Sequence, residues 1–222
     1  MEGVAQEYQT VYKENAKCFT PGLEPSQVIG NYSNWSRNYD KMMCLGTYNG
    51  PLMGAEEVAR LVPEERRQKV RVLDIAAGTG KVGLELHKRG FVNIDALEPS
   101  EGMMNILRDT GVYSVKYQEF LGIGQNTVPP DTYDVVVIVG GMGEGHVPIQ
   151  GVDDMIRITK PGGFVVIVMR LEYLEVVKEY KNRLEPHMDL LQQQGWWRKE
   201  TKKVVRNYAF GKDGVIFICR VL

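Results

Sequence analysis

The sequence predicts an α/β fold in which a largely parallel sheet is covered by helices on both faces. From residue 70 onward, short apolar runs of strand length alternate with stretches of helical character. The runs at 133–139 and 164–169 are apolar at almost every position, so we expect both faces of these strands to be buried. Strands of this kind, alternating with helices, are typical of parallel βαβ units.

The elements of this region follow one another at regular spacing. We predict five strands, which occupy residues 70–75, 91–97, 114–117, 133–139 and 164–169. We predict three helices between them, at residues 81–88, 99–109 and 152–159. Gly90 ends the first of these helices and Pro161-Gly162-Gly163 ends the last, because proline and glycine interrupt helical structure.

The segment before this region differs in composition. A helix at 5–17 and another at 53–61 flank residues 26–49, which are rich in Tyr, Trp, Asn and Ser and are expected to be irregular or to form short helices. We therefore divide the chain into an N-terminal helical and aromatic segment, residues 1–66, and an α/β domain, residues 67–222.

The C-terminal part also departs from the βαβ pattern. Residues 171–194 have the apolar stripe of a long helix, which we expect Pro186 to kink. Two strands follow, at 202–210 and 215–221, and the turn between them is short enough for a hairpin. The sheet is therefore expected to end in an antiparallel pair.

Composition and charge exclude several classes of protein. The 222 residues include 27 Lys+Arg and 28 Asp+Glu, a formal net charge of −1, which argues against a strongly basic surface for nucleic acid or anionic membrane. The N-terminus does not resemble a secretory signal, and no apolar run reaches the roughly 18 residues of a membrane-spanning helix. Neither the cysteines nor the histidines have the spacing of a disulfide framework or metal site; they are Cys18, Cys44, Cys219, His87, His146 and His187. We expect reduced thiols, a cytoplasmic location and no bound metal.

A glycine-rich turn follows the first predicted strand. Gly78, Gly80 and Gly83 have the G-x-G-x-x-G spacing, and Glu98, twenty residues beyond Gly78, closes the second strand. By itself this pattern fits a dinucleotide site, with a diphosphate at the helix N-terminus and Glu98 on a ribose, so an NAD-dependent oxidoreductase is one interpretation. Asp74 indicates another ligand, because a carboxylate at the strand end suits a cationic amino group better than a diphosphate.

Four motifs in order carry a resemblance to a known family. Residues 72–80, Val-Leu-Asp-Ile-Ala-Ala-Gly-Thr-Gly, resemble motif I of the class I S-adenosylmethionine-dependent methyltransferases. Residues 94–104 are similar to their second strand and adenosine loop, 133–137 to their fourth strand, and 158–164 to the turn into their fifth. The family's fold is a Rossmann-like seven-stranded sheet of order 3-2-1-4-5-7-6 with strand 7 antiparallel. The C-terminal hairpin fits that order, and the resemblance implies that the N-terminal segment forms a helical lid.

The resemblance implies that S-adenosylmethionine is the cofactor. Asp74 would bind its methionine amino group, directly or through water, and Glu98 would accept hydrogen bonds from both ribose hydroxyls. Gly78 and Gly80 would let the backbone approach the cofactor, although Ala76 stands where the family often has glycine. We expect the adenosine, or the region near the methyl group, to contact the remaining predicted residues, which are Tyr39, Ala76, Pro99, Ser100, Met103, Glu119, Phe120 and Gly140.

The loop after the fourth strand is the expected place of catalysis, because open α/β sheets bind ligands at the carboxyl ends of their strands. Its ionisable side chains are Glu144 and His146, and His146 is the candidate general base because the ordinary pKa of histidine lies near neutrality. We expect four residues to contact the methyl acceptor: Tyr32, Trp35, Arg170 and Tyr173. Arg170 would pair either with an anionic substrate or with a carboxylate on the following helix.

The sequence therefore predicts transfer of a methyl group to an N, O or S atom of a small-molecule metabolite. No Asn/Asp-Pro-Pro-Tyr motif follows the fourth strand and the chain is not basic, which weakens a DNA, RNA or glutamine target. We expect a small-molecule acceptor, no nucleic-acid or membrane partner, and a monomer or homodimer. Two alternatives stay open at this point: an NAD-dependent oxidoreductase, and a non-catalytic module that binds S-adenosylmethionine.

Overall fold

The computed structural model describes residues 2–44 and 47–222. Seven strands occur in these ranges: β1 Arg71–Ile75, β2 Asn93–Leu97, β3 Tyr113–Tyr117, β4 Tyr133–Val139, β5 Thr159–Arg170, β6 Trp197–Ala209 and β7 Lys212–Val221. They form one sheet in the order β3-β2-β1-β4-β5-β7-β6. β1 to β5 pair in parallel, whereas β7 is antiparallel to both β5 and β6. The predicted Rossmann-like sheet, its strand order and its reversed strand 7 are confirmed.

Helices cover both faces of the sheet, as predicted. Their bounds are α1 Glu2–Lys17, α2 Pro25–Met42, α3 Gly50–Leu61, α4 Lys81–Lys88, α5 Glu101–Asp109, α6 Gly151–Ile158, α7 Tyr173–Val176 and α8 Leu184–Gln193. Buried residues of α3, α4 and α5 form one apolar cluster with one face of the sheet. Those of α6 and α8 form a second cluster with the other face. The sheet therefore lies between two apolar cores.

β4 shows why the apolar runs of the sequence become central strands. Val136 and Ile138 belong to the cluster on the α6 side, while Val135 and Val137 belong to the cluster on the α3 side. Alternate residues of a strand point to opposite faces, so a strand with a core on each side needs apolar residues at consecutive positions. Burial of each such side chain contributes about 1.5–3 kcal/mol.

The prediction for residues 26–49 was wrong over most of its length, because Pro25–Met42 form one helix of 18 residues. Pro25 occupies the first helical position, where its missing N–H costs no hydrogen bond. Glu24 and Gln27 form a capping box, in which the Glu24 N–H donates to the Gln27 side chain at 2.9 Å. The aromatic side chains also recur at helical spacing, so one face of α2 can lie over the sheet edge.

The prediction of one long helix at 171–194 was also wrong. The segment contains two helices, α7 and α8, and between them Asn182 has a left-handed φ of 55°. Pro186 does not kink a helix, because it lies in the first turn of α8, where a backbone N–H has no intrahelical acceptor. Pro161-Gly162-Gly163, predicted as a turn, lies within β5, and the register between β4 and β5 shifts nearby.

α3 belongs to the same apolar core as the sheet. Gly54 lies against β4 so closely that a β-carbon there would come within 2.5 Å of the Val139 side chain. The division of the chain between residues 66 and 67 stays a prediction, although α3 shares its packing with the strands that follow. Among the described helices, none combines the length and apolar character that a bilayer crossing requires.

Candidate functional site

The carboxyl ends of β1, β2 and β4 meet at one edge of the sheet and form a cleft there. The cleft contains about 650 Å³ of empty space, including its open mouth. Its lining includes many of the residues predicted to bind the cofactor, namely Tyr39, Ala76, Gly78, Glu98, Pro99, Ser100, Met103, Phe120 and Gly140. The turns after these strands thus bring together residues that are far apart in sequence.

Glu98 is the carboxylate in the lining of this cleft, at the end of β2. Its Oε2 accepts a hydrogen bond from the Gly78 N–H at 2.8 Å, and its Oε1 accepts one from the Ser100 N–H at 2.8 Å. Burial raises its pKa to about 7, although the two backbone N–H groups oppose that shift. Each carboxylate oxygen keeps a further acceptor site, so Glu98 can accept two hydroxyl groups of a ribose.

Asp74 lies behind the turn rather than in the cleft lining. Its side chain is fully buried, and its Oδ2 accepts a hydrogen bond from the Tyr113 hydroxyl at 2.6 Å. Its Oδ1 has no hydrogen-bond partner among the residues that the structure describes. Burial raises the pKa of Asp74 to about 7. A buried carboxylate with one unmatched oxygen is suited to a cationic group or to a water that contacts one.

Ala76 has an unusual backbone conformation at the centre of the motif I turn. Its φ is 52°, in the left-handed region that glycine adopts without steric cost and other residues adopt at about 1–2 kcal/mol. Gly141 lies directly against it, since a β-carbon at Gly141 would come within 2.5 Å of the Ala76 β-carbon. The geometry explains why glycine suits this position, and shows that the chain accommodates alanine there.

Besides Asp74, three residues predicted to contact ligands line neither the cleft nor the chamber beside it. Gly80 begins α4 behind the turn. Glu119 accepts hydrogen bonds from the Thr127 N–H at 2.7 Å and from the Thr127 hydroxyl, whereas its neighbour Phe120 lines the cleft. Trp35 is buried, and its Nε1–H donates to the Met42 sulfur at 3.1 Å.

His146 lines the cleft and makes two defined hydrogen bonds. Its Nδ1 lies 2.7 Å from the Glu144 carbonyl oxygen, which can only accept, so Nδ1 carries the proton. Its Nε2 lies 3.0 Å from the Tyr32 hydroxyl and is therefore the acceptor of that bond. Burial lowers the pKa of His146 to about 4, so the ring is neutral near pH 7.

Glu144 contributes its backbone, rather than its side chain, to this arrangement. Its carbonyl oxygen fixes the tautomer of His146, while its carboxylate accepts a hydrogen bond from the Gly22 N–H at 3.1 Å. The carboxylate is absent from the linings of the described cleft and of the chamber beside it. Glu144 therefore ties the loop after β4 to the connection between α1 and α2.

A second, inner chamber adjoins the cleft and contains about 310 Å³ of empty space. The cleft and the chamber share four lining residues: Tyr32, Tyr39, Tyr48 and Gly140. Arg170 and Tyr173, predicted to contact the acceptor, line the chamber. Six further lining residues were missed by the sequence analysis: Asn15, Phe19, Met43, Tyr48, Tyr208 and Ala209. No local signal marks them, because they come from different elements.

α2 covers both spaces and is fastened to the turns at the sheet edge. The Thr79 hydroxyl donates to Asp40 at 2.6 Å, and the Lys81 ammonium lies 3.1 Å from the same carboxylate. The Ser33 and Ser100 hydroxyls are 2.8 Å apart. These contacts hold α2 across the motif I turn and the start of α5.

Comparisons with known proteins agree with this geometry. A family profile described as a methyltransferase domain matches residues 51–208, well over half of the chain. Human methyltransferase-like protein 27 is 30% identical over 172 residues, which cover 78% of this chain and 69% of that protein. The chain belongs to the class I S-adenosylmethionine-dependent methyltransferases. The resemblance inferred from the four motifs is confirmed. The alternative interpretation of the glycine spacing, as the dinucleotide site of an NAD-dependent oxidoreductase, is wrong.

A second sequence relative and a solved structure of similar fold extend the comparison of this methyltransferase. A demethylmenaquinone methyltransferase of Clavibacter sepedonicus is 30% identical over 146 residues, covering 65% of this chain and 58% of that protein. A Thermotoga maritima structure, described as a possible histamine N-methyltransferase, has a TM-score of 0.55 and 21% identity, covering 85% of this chain and 98% of that one. The second likeness concerns the fold.

The residues of the cleft fit S-adenosylmethionine, the cofactor of the family. Glu98 offers acceptors for a ribose, and the apolar side chains of Leu97, Met103, Phe120 and Leu121 line the same space. Asp74 has an unmatched buried oxygen beneath the turn, where a cationic amino group is favourable. We propose that these residues hold the ribose, the adenine and the methionine end of the cofactor respectively.

We expect cofactor affinity to fall as the pH is lowered through about 7. In the free protein the pKa values of Asp74 and Glu98 are both raised to about 7, and a cationic ligand favours their ionised forms. Each carboxylate that must lose a proton on binding then costs up to about tenfold in affinity per pH unit below its pKa. His146 does not contribute above about pH 5, because its pKa is lowered to about 4.

Calorimetric titration with S-adenosylhomocysteine between about pH 5.5 and pH 8 measures this dependence. Buffers that differ in ionisation enthalpy count the protons released on binding. Glu98→Gln and Asp74→Asn each remove one titrating group, so each variant should show a shallower pH dependence. An affinity that stays constant over this pH range in the unmodified protein contradicts the expectation.

Proposed function

We propose that this methyltransferase transfers the methyl group to an N, O or S atom of a small-molecule metabolite bound in the inner chamber. The observation that carries the proposal is the aromatic chamber, which shares Tyr32, Tyr39, Tyr48 and Gly140 with the cofactor cleft. The balanced charge of the chain also supports a small acceptor over a nucleic acid.

Relatives named for demethylmenaquinone support a small-molecule acceptor. The proposal of an N, O or S atom rests on a different feature, the hydrogen-bonded pair of Tyr32 and His146. An acceptor heteroatom that carries a proton must release it when it is methylated, and a hydroxyl beside an unprotonated imidazole nitrogen provides a route for that proton. The monomeric or homodimeric state and the cytoplasmic location stay predictions.

The chain's own residues bind, orient and deprotonate the acceptor. S-Adenosylmethionine, when bound, supplies an electrophilic methyl group: the acceptor's lone pair makes the new bond, and the sulfur retains the electron pair of the old one. The Tyr32 oxygen can take the acceptor's proton while its own proton moves along the 3.0 Å hydrogen bond to His146 Nε2. The Glu144 carbonyl then stabilises the positive imidazolium through Nδ1–H.

The pKa of about 4 makes His146 a weaker base than the near-neutral pKa expected from the sequence, and it limits how long His146 holds this proton. A base whose pKa is lowered to about 4 passes the proton on to solvent readily near pH 7. Ligands that displace water from the two spaces beneath α2 would strengthen the polar contacts inside. The chain therefore acts mainly by positioning the acceptor and exposing one route for its proton.

We expect His146→Ala to slow turnover by about 10²-fold while cofactor affinity stays nearly unchanged. The variant removes the acceptor of the Tyr32 hydroxyl but leaves the carboxylates Asp74 and Glu98 in place. Tyr32→Phe is the matched variant, because it keeps the ring of α2 and removes only the hydroxyl. Transfer of label from the cofactor and calorimetry with S-adenosylhomocysteine measure the two quantities. An unaltered rate across pH in both variants would remove the pair from the proposed mechanism.

Incubation of the enzyme with labelled cofactor and a metabolite extract tests the function itself. Label that appears in a small molecule, and that His146→Ala reduces, supports the proposal and identifies the acceptor by mass spectrometry. A protein extract and a nucleic-acid extract serve as parallel reactions. Label that appears only in those macromolecules contradicts a small-molecule acceptor.

A further inference from the structure

The inner chamber contains a buried cation. Arg170, at the end of β5, is 8% exposed and lines the chamber. None of the described residues in that lining is acidic, and the other members are aromatic, apolar or neutral polar side chains and one glycine. The chamber therefore has a positive charge in its wall and no carboxylate of its own facing that charge.

Arg170 contacts the rings of Phe19, Tyr173 and Phe210 at 5.5–5.6 Å, but its polar partners leave its charge incompletely matched. Its Nη2 donates to the Asn15 amide oxygen at 2.7 Å, which is a neutral acceptor. Its Nη1 lies 3.6 Å from Glu172, whose half-exposed carboxylate also lies 3.1 Å from the Lys212 ammonium. One solvated carboxylate is thus divided between two cations. A buried charge is costly unless it is fully paired, so an anion entering the chamber gains a strong electrostatic contact.

Tyr173 supplies a second unmatched group in the same chamber. Its hydroxyl is buried and has no hydrogen-bond partner in the described part of the chain. The Arg170 guanidinium carbon lies 5.6 Å from the centre of the Tyr173 ring, so the two side chains are neighbours. A guanidinium and a phenol hydroxyl both donate hydrogen bonds, and a carboxylate can accept from both at once.

The other side chains that line the chamber favour a ligand with an aromatic ring. Phe19, Tyr32, Tyr39, Tyr48 and Tyr208 surround the space with aromatic rings. A flat ring packs well against such faces in offset or edge-on arrangements.

We propose that the methyl acceptor is a small aromatic carboxylate. Arg170 and Tyr173 bind its carboxylate, and its ring extends between the aromatic walls toward Gly140, where the chamber joins the cofactor cleft. A separate N, O or S substituent at that end of the ring accepts the methyl group. This inference rests on the proposed function and deepens it by naming the substrate class. The neutral partner Asn15 holds the guanidinium in place without competing for its charge.

Binding of benzoate and of benzamide to the enzyme saturated with S-adenosylhomocysteine tests this class without requiring turnover. The two probes have nearly the same shape and differ in charge. We expect benzoate to bind at least about tenfold more tightly, because charge-assisted hydrogen bonds are about twice as strong as neutral ones. Equal affinity for the two probes, or no measurable binding of either at millimolar concentration, overturns the proposal.

Two variants locate the contact. Tyr173→Phe should weaken benzoate binding about 3–10-fold and leave benzamide binding nearly unchanged. Its unfolding temperature should stay the same or rise, because it removes a buried hydroxyl without a partner. Arg170→Met should abolish the preference for benzoate, and Arg170→Lys should restore part of it. A preference that survives Arg170→Met contradicts the assignment.

The readouts separate failure of this inference from failure of the proposed function. Normal binding of S-adenosylhomocysteine by Arg170→Met, together with an unchanged unfolding temperature, shows that the variant is folded. Transfer of label to a neutral small molecule, with benzoate and benzamide bound equally, overturns the aromatic carboxylate and leaves the small-molecule acceptor in place. Transfer of label only to macromolecules overturns both.

Discussion

Glu98→Ala is expected to lower the affinity for S-adenosylmethionine by about 10²-fold or more. The carboxylate lies in the cofactor cleft, and two charge-assisted hydrogen bonds from ribose hydroxyls would be lost, each worth about 1.5–3 kcal/mol. The same carboxylate accepts the backbone N–H groups of Gly78 and Ser100, so the variant also loosens the two turns that form the cleft. Calorimetry with S-adenosylhomocysteine measures the loss.

The chain offers a matched control for this substitution. Glu119, also predicted to contact the cofactor, directs its carboxylate to Thr127, outside the cleft lining. We expect Glu119→Ala to change affinity by less than about threefold, and Glu98→Gln, which keeps the side-chain size, to fall between the two alanine variants. Equal affinities for Glu98→Ala and Glu119→Ala would show that Glu98 is not the ribose ligand.

Gly140→Ala is expected to produce the second large effect, by closing the junction between the cleft and the chamber. A β-carbon at this position would lie 2.4 Å from the Tyr48 hydroxyl oxygen and 3.1 Å from that of Tyr208. The residue also has a φ of 70°, which adds about 1–2 kcal/mol of backbone strain for alanine. We expect a loss of about 2–4 kcal/mol in the free energy of unfolding, and a loss of turnover greater than that of cofactor binding.

Two controls separate the steric conflict from the backbone strain. Gly211 has a similar φ of 71°, but no atom lies within 4 Å of the place that a β-carbon would take there, so Gly211→Ala measures strain alone. Tyr48→Phe removes the atom that the new methyl group would meet, so it should recover part of the stability of Gly140→Ala. Denaturant unfolding of the double variant measures that recovery. Equal stability losses for Gly140→Ala and Gly211→Ala would refute the steric explanation.

The central strands and the motif I turn could be predicted because their signals are local. β4 was predicted with its observed bounds, since a strand between two cores must be apolar at consecutive positions. The helix Lys81–Lys88 was predicted with its observed bounds as well, between the glycine turn and Gly90. The positions of Glu98 and Asp74 at the strand ends follow directly from the order of strand, turn and helix, while their roles toward the cofactor stay predictions.

The inner chamber could not be predicted in the same way. Tyr48 and Tyr208 have hydroxyl oxygens 3.3 Å apart but are separated by 160 residues, and only the pairing of the sheet edge brings them together. Glu144 and Glu119 illustrate the opposite error, because both are close to the site in sequence while their carboxylates bond to Gly22 and Thr127. Spacing along the chain indicates which loop approaches a site, but tertiary packing decides which atom faces it.

The position of α2 has a consequence for the kinetics of the enzyme. Tyr32 and Tyr39 of this one helix belong to the walls of both the cleft and the chamber, so cofactor and acceptor, bound as proposed, would share a surface. Ordering the side chains of the shared wall costs conformational entropy. The first ligand to bind pays this cost, so the second ligand binds more favourably. Cofactor and acceptor are therefore expected to show positive heterotropic cooperativity, with the spent cofactor leaving slowly while the acceptor's place is filled.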